Sequence, residues 1–262
     1  MIGFLWIFLA ASIFMLGLWW RQTRTLNANA VDLFWALGVG LSAVFWGVYS
    51  EGDSQRRIMM ACFGAFWSAR LAWHLWFYRV RHATEEDSRY RDLRESWSQK
   101  KFLVFFQAQA VIIVLFSVPF FIVAQNETRL GAADFLGALI FFVSFFGESL
   151  ADRQLESFRS KKDNRGKVCR EGLWRYSRHP NYFFECVHWI SYVFLSWGAS
   201  FWYLSLIGPI AMTFFIFKVT GIPYAEKSSM KTKGEAYREY QDSTSVLIPW
   251  FPKKTEKSKE SR

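Results

Sequence analysis

An all-α integral membrane protein is the fold class predicted, a bundle of about seven transmembrane helices with the N-terminus outside and the C-terminus cytoplasmic. Three features predict it. The 262 residues are 52% hydrophobic and 20% aromatic, with 28 Phe and 14 Trp, more ring surface than a water-soluble domain of this size can bury. The apolar residues fall into blocks of about twenty, the length of helix that crosses roughly 30 Å of hydrocarbon. The basic residues gather beside alternate ends of those blocks.

The spans are drawn at 1–20, 31–49, 57–78, 102–122, 134–155, 183–199 and 201–219. MIGFLWIFLAASIFMLGLWW has neither a basic leader nor a small-residue cleavage site and reads as a retained first helix. Pro119 and the pair Gly208-Pro209 are expected to kink the fourth and seventh spans, and the sixth and seventh form an antiparallel hairpin. EEDSRYRDLRESW mixes signs densely; its plain reading is a solvated amphipathic helix on the membrane surface. Segments 21–30, 79–101 and 156–182 and the chain from Lys218 carry 27 Lys or Arg, whereas the opposite face has only Arg56, Arg57 and Arg129. That asymmetry sets the orientation and demands an odd number of spans. Residues 1–252 form a single domain with a cofactor-binding half at about 134–252, and 253–262 read as a disordered charged tail.

The net charge of +10 is explained by topology and anionic headgroups, so nucleic acid is not an expected partner. Cys62, Cys169 and Cys186 form no metal or disulfide spacing. No HExxH pair, Walker motif or soluble dinucleotide fingerprint occurs, and no metal site is expected. No internal repeat suggests an inverted-repeat transporter.

Polar residues cluster where a plain span needs none. Asp32, opening the second span in VDLFW, either caps that helix or serves a site. Arg70 and His74 share one face of SARLAWHLWFYR; they face a polar cavity or partner, or Arg70 snorkels to the interface. Glu148, Asp152, Leu155 and Arg159 follow at intervals of four, three and four, a stripe from membrane depth to the cytoplasmic edge. It is either an ion network of Asp152 with Arg153 and Glu156, or a seat for a ligand with amide, ribose and phosphate parts. Arginines donate in pairs to phosphate, and carboxylates accept hydroxyl or amide protons.

The segment NRGKVCREGLWRYSRHPNYFFECVHW is the densest signal. Basic residues from Arg165 through Arg178 precede a helix starting near Pro180, and Asn181, Glu185 and Trp189 repeat every four residues down one face. Topology and an aromatic belt account for the arginines but not for Glu185 inside a span. Beyond the seventh span, Tyr237 and Tyr240 precede an apolar end, SVLIPWFP, expected to fold back and close the site.

At GLWRYSRHPNYFFE the chain resembles the DUF1295 family, which belongs with the steroid 5-alpha-reductase C-terminal domain superfamily. The resemblance continues through VDLFW, ARLAWHLWFYR, EEDSRY, ADRQLESFR, NRGK, LIGP, KVTGIP and EYQDSTSVLIPWFP. It implies a seven-helix membrane enzyme holding NADPH in a cavity open to the cytoplasm. The steroid-reductase cofactor motif of Asn, Asp, Leu and Arg falls on Glu148, Asp152, Leu155 and Arg159. The Asn-aromatic-aromatic-Gly-Glu motif with its later Trp falls on Asn181, Tyr182, Phe183, Phe184, Glu185 and Trp189. Glu148 stands in place of Asn, and Phe184 in place of Gly, which narrows the helix contact. The His that steroid reductases follow directly with Tyr resembles His74; here Leu75 follows, and Tyr78 offers a phenol one turn on.

The resemblance therefore implies an NADPH-dependent reductase of a lipid or steroid-like enone entering from the bilayer. His74 and Tyr78 are its catalytic candidates, and Arg159, Arg170, Arg175 and Arg178 its phosphate contacts. Asp152, Asn181, Glu185 and Trp189 would hold ribose and nicotinamide, beside Glu148, Leu155, His179 and Tyr182. The RHPNY run is also similar to the isoprenylcysteine carboxyl methyltransferase and phospholipid methyltransferase group, where Arg-His-Pro and a following aromatic help hold S-adenosylmethionine. Arg178, His179, Pro180 and Tyr182 match it, making methyl transfer to a lipid-linked substrate the alternative. A transporter would need polar stripes along a through-path, whereas these polar groups crowd one face. Membrane lipids are the expected partners, with no protein partner required, and a bacterial inner membrane is the expected location.

Overall fold

The computed structural model describes residues 1–81 and 85–253. Among these it is all-α, with ten α-helices and one isolated parallel bridge between Ser177 and Ser245. The helices are α1 (Ile2–Thr25), α2 (Ala30–Tyr49), α3 (Ser54–Leu75), α4 (Ser88–Ser96), α5 (Gln99–Ala124), α6 (Ala132–Ser160), α7 (Pro180–Leu195), α8 (Ile207–Phe214), α9 (Ile222–Lys233) and α10 (Glu235–Ser243). Of the expected charged tail only Lys253 is described; 254–262 lie outside the described residues.

Among the described residues, five helical stretches are long and apolar enough to cross a bilayer: Ile2–Thr25, Ala30–Tyr49, Gln99–Ala124, Ala132–Ser160 and Trp202–Lys233. The protein is a multi-pass membrane protein. Two of the seven expected spans fall short of this measure for different reasons. The α3 helix carries Gln55, Arg56, Arg57, Arg70 and His74, and α7 is only 16 residues long. The seventh span is also broken differently from expectation. Pro209 lies in the first turn of α8, where its missing amide hydrogen costs nothing, so it starts a helix instead of kinking one. Phe215–Val219 then winds as a π-helix before α9.

The chain divides into two compact units. One comprises Met1–Gly137 with Tyr192–Gly208, the other Ala138–Ser191 with the chain from Pro209 onward. In the first, α2 and α3 meet along small residues. A Cβ on Gly40 would overlap the Ser68 side chain, one on Gly64 would overlap Ala43, and one on Gly47 would come 2.8 Å from the Ala61 Cβ. Ser68 Oγ donates to Ala36 O across this seam at 2.9 Å. Close backbone approach of this kind substitutes for a hydrophobic driving force that lipid cannot provide. Around it lie Trp46, Trp67, Phe116 and Phe120, all buried, with the Phe120 ring edge-on to Tyr192 at 4.8 Å.

At the end of the unit where α2 turns into α3, Asp53 caps α3 by accepting from Arg56 N at 2.9 Å. The Arg56 side chain is 1% exposed. Its Nε donates to Asp134 Oδ1 at 2.7 Å and its Nη2 to Asp134 Oδ2 at 3.0 Å, while Nη1 reaches Asn126 O and Thr128 O. Arg56, counted from sequence only among the three basic residues of the opposite face, is thus a buried staple joining α3 to the α5–α6 turn. Asn126 extends it by donating to Trp197 O at 3.0 Å.

At the end where α1 turns into α2, three sequence-distant segments lock together. Asp32 does not cap α2. Its Oδ2 accepts from Arg79 at 2.8 Å and from Arg89 at 2.7 Å, and its Oδ1 accepts from the Tyr90 hydroxyl at 2.6 Å. Asn29 Nδ2 donates to Arg79 O and Glu85 O, and its Oδ1 accepts from Asp87 N. Arg94 pairs with Glu86 at 2.7 Å and donates to Gln22 at 3.1 Å. The segment expected as a solvated, salt-bridged surface helix is α4; its ion pairs are present, but it is capped by Asp87 and pinned to α1 and α2, with Tyr90 only 3% exposed.

Burial alone would raise the Asp87 carboxyl, but hydrogen bonds and charge from Arg89, with Arg79 3.7 Å away, hold it below its ordinary value of 3.8. A depressed folded pKa contributes stability that is fully present above the unfolded value and is lost as pH falls through the folded one. Asp87→Asn is accordingly expected to lose less melting temperature than the parent when pH is lowered from about 5 to about 3. Parallel curves for the two proteins would show that Asp87 contributes nothing to acid sensitivity.

Candidate functional site

The second unit holds all of the residues singled out as cofactor contacts. On α6, the stripe runs as the spacing requires: Glu148 is buried, Asp152 and Leu155 are half-buried, and Arg159 is exposed at the helix end. The loop that follows is folded tightly back on this helix. Asn164 Nδ2 donates to Phe158 O at 2.9 Å, and Trp174 Nε1 donates to Ala151 O at 2.8 Å. Gly172 takes a φ of 55° and lies so close to the Gln154 amide that a Cβ there would overlap it; Gln154 Oε1 accepts from Leu173 N at 2.8 Å. Leu155, Phe158, Cys169 and Trp174 pack together beneath the loop.

Pro180 begins α7, as its fixed φ favours, with Ser177 Oγ accepting from His179 N at 3.1 Å just before it. Asn181 Nδ2 then donates to Asp152 Oδ1 at 3.1 Å, joining the α6 stripe to the α7 face. One turn down α7, the buried Glu185 accepts from Trp189 Nε1 at 3.2 Å. Phe184 replaces the expected narrowing with a different fit: its ring occupies the space where a Cβ on Gly147 would stand. The small residue of this helix contact lies on α6, so the large one on α7 is accommodated.

The RHPNY run serves the fold on its other side. Arg178 Nε donates to Glu226 Oε1 at 2.7 Å, and its Nη1 donates to Gln241 O and Thr244 O at 2.8 Å each. His179 Nε2 lies 3.3 Å from Glu226 Oε1, and its ring stacks on Tyr182 with centres 5.4 Å apart. Gln241 Nε2 donates to the other Glu226 oxygen at 2.8 Å. The closing segment is tied to the same loop: Arg178 N donates to Ser245 O, Ser177 Oγ to Leu247 O, and Trp250 N to Tyr176 O. The Tyr240 hydroxyl donates to Trp174 O and Ser177 O, and burial pushes that phenol well up from its ordinary value. The expected apolar plug folds back as foreseen, but only Leu247 is buried. Ile248, Trp250 and Phe251 face outward, at 63%, 70% and 76% exposure.

Arg170 Nη2 donates to Ala236 O at 2.9 Å, and Arg175 lies 6.0 Å from the Tyr176 ring centre. His74 and Tyr78 belong to the first unit. His74 is half-buried near the end of α3, and Tyr78 is 40% exposed in the π-helical turn Trp76–Arg81, with ring centres 4.8 Å apart.

The profile of the family described as "Protein of unknown function (DUF1295)" matches residues 18–244. The chain belongs to the DUF1295 family. The "Uncharacterized protein C594.04c" of Schizosaccharomyces pombe is similar to it, 28% identical over 90% of this chain and 77% of its own. No solved structure matches.

The stretches quoted for DUF1295 converge in two places. VDLFW, EEDSRY and the end of ARLAWHLWFYR meet through Asp32, Arg89, Tyr90 and Arg79 in the first unit. ADRQLESFR, the RHPNY run and EYQDSTS meet in the second through Asp152, Asn181, Arg178 and Thr244. Three participants of this DUF1295 site were not foreseen: Glu226, Gln154 and Gln241. Glu226 had one sequence signal, an acid directly after KVTGIPYA at the polar end of a span. The two glutamines had none, because each is defined by a partner far along the chain.

Proposed function

We propose that this DUF1295 protein is a membrane-embedded NADPH-dependent reductase of the activated carbon–carbon double bond in a lipid or steroid-like enone. The observation that carries the reading is the Asn181–Asp152 bond of 3.1 Å, which sets the amide of one resemblance motif against the carboxylate of the other. Glu185 and Trp189 continue the same face of α7. In the proposal α3 and α7 also cross the bilayer, giving seven spans with the N-terminus outside and the C-terminus in the cytoplasm, in a bacterial inner membrane.

The residues present fit such a cofactor. Half-buried Asp152 and Asn181 offer acceptor and donor groups for hydroxyls and a carboxamide, and exposed Arg159 and Arg175 offer guanidinium forks for phosphate. Arg178 and His179 contribute by fixing the start of α7 through Glu226, since Arg178 Nε and Nη1 are already engaged. When bound, NADPH would supply hydride to the alkene carbon. The roles assigned to His74 and Tyr78, polarising the carbonyl and donating the proton, rest on the resemblance and on the chemistry of a paired imidazole and phenol.

Titration of the protein in lipid nanodiscs with NADPH, NADH and S-adenosylmethionine tests the reading. Saturable NADPH binding weakened about tenfold or more by Asp152→Ala is the expected result. Binding of S-adenosylmethionine alone would overturn it and favour methyl transfer. One observation speaks for that second reading: the Glu226 carboxylate beside the stacked His179 and Tyr182 rings is the kind of surrounding a sulfonium ion prefers.

A further inference from the structure

Between Leu247 and Lys253 the closing segment turns Ile248, Trp250 and Phe251 outward, and its backbone is not free to bury them. Arg178 N donates to Ser245 O at 2.8 Å, Trp250 N to Tyr176 O at 2.9 Å and Lys253 N to Ser243 O at 2.8 Å. Pro249 and Pro252 fix two further φ angles. The aromatic surface is continuous: the Phe251 ring lies 6.5 Å from that of Trp250 and stands edge-on to Tyr176 at 6.0 Å.

Packing against α6 sets the depth of this surface. That helix is long and apolar enough to cross a bilayer, and its last pair of rings, Phe145 and Phe146, gives way to Asp152 and Arg153. Trp174 Nε1 donates to Ala151 O, at the boundary between the two. Tyr176 follows two residues later, at most about 8 Å along the chain. Trp250 and Phe251 are thereby tied close to the level where hydrocarbon ends. Trp and Tyr concentrate at that level of a membrane, because their rings sit among the headgroups with one side apolar and the other wet.

The charges that accompany the rings have one sign. Arg175 and Lys253 are exposed next to Tyr176 and Pro252, and the Arg175 guanidinium lies 6.0 Å from the Tyr176 ring centre. Neither Arg175–Ser177 nor Ser245–Lys253 contains an acid, and the sequence continues as KTEKSKESR, with four basic residues against two acidic. Outward rings at this depth with basic flanks suit the surface of an anionic bilayer, since the rings gain by leaving water and each cation by approaching phosphate. We infer that Ile248, Trp250 and Phe251, with Arg175 and Lys253, form an interfacial anchor whose partner is an anionic phospholipid leaflet. Because the same segment is hydrogen-bonded to Tyr176 and Arg178, seating the rings also holds the loop that leads into Pro180 and α7. The anchor stands independently of the reductase reading.

The test uses the full chain carrying Cys62→Ser, which removes the exposed cysteine, in nanodiscs of phosphatidylcholine with or without phosphatidylglycerol. A nitroxide is attached at Ile248→Cys, at Trp250→Cys or, as a control on the exposed loop after α6, at Asp163→Cys. The chain without an added cysteine gives the background. With phosphatidylglycerol present, collision of the label with a water-soluble nickel complex should be about fivefold or more lower at 248 and 250 than at 163. It should also be about twofold or more lower than in phosphatidylcholine alone, and Arg175→Gln combined with Lys253→Gln should remove that difference. Nickel access at 248 and 250 equal to that at 163 in both bilayers overturns the anchor and gives the face to water or to a protein partner. Low access that is the same in both bilayers overturns the anionic leaflet as the partner.

Discussion

Replacing Asp134 with alanine is expected to destabilise the protein by about 3–5 kcal/mol, because it leaves the Arg56 guanidinium buried without its counter-charge. Arg56 is 1% exposed and the Asp134 side chain 8%, so neither bulk water nor salt screens the pair. The backbone carbonyls of Asn126 and Thr128 remain as acceptors but carry no formal charge. The double replacement Arg56→Met with Asp134→Leu should recover much of the loss, since an apolar pair requires no desolvation of charge. Thermal unfolding in nanodiscs would measure both. A shift for Asp134→Ala no larger than that of Arg129→Ala would mean that the staple contributes little.

Gly40→Leu should be comparably severe, at about 3 kcal/mol or more, by overpacking the α2–α3 seam. Even a Cβ at this position would overlap Ser68, and Gly64 O lies 3.2 Å away on the other side, so no flexible side-chain end is available to yield. The added bulk must separate the helices and break the Ser68 to Ala36 hydrogen bond. The same change at Gly17, where nothing stands within 4 Å of the added Cβ, serves as the control for loss of glycine itself. Equal melting temperatures for the two variants would count against a close-packed seam.

The parts of this architecture legible beforehand were those written in local periodicity. Long apolar blocks located α1, α2, α5 and α6, because a span of hydrocarbon leaves little room for polar interruption. The four-residue spacings Glu148–Asp152 and Asn181–Glu185 placed these residues on helix faces, and Asp152 and Asn181 do meet. What stayed hidden was pairing across distance. Arg56 read as one of three basic residues on the opposite face, though its partner lies 78 residues away, and Glu226 gains its meaning from Arg178, 48 residues before it. Nor did the local pattern tell which side of a helix contact would be small: Phe184 read as an obstacle until Gly147 stood opposite.

The Asp32 hub also sets an order of events while the chain is being made. Its carboxylate is synthesised 57 residues before Arg89 and 58 before Tyr90. At ordinary elongation speeds of about 5–20 residues per second, it waits roughly 3–12 seconds for the groups that will hold it. During that interval Asp32 stands in the first turn of α2, where exposed amide hydrogens favour negative charge. The helix terminus thus shelters the acid early, and the arrival of α4 moves it from a temporary berth to a permanent one.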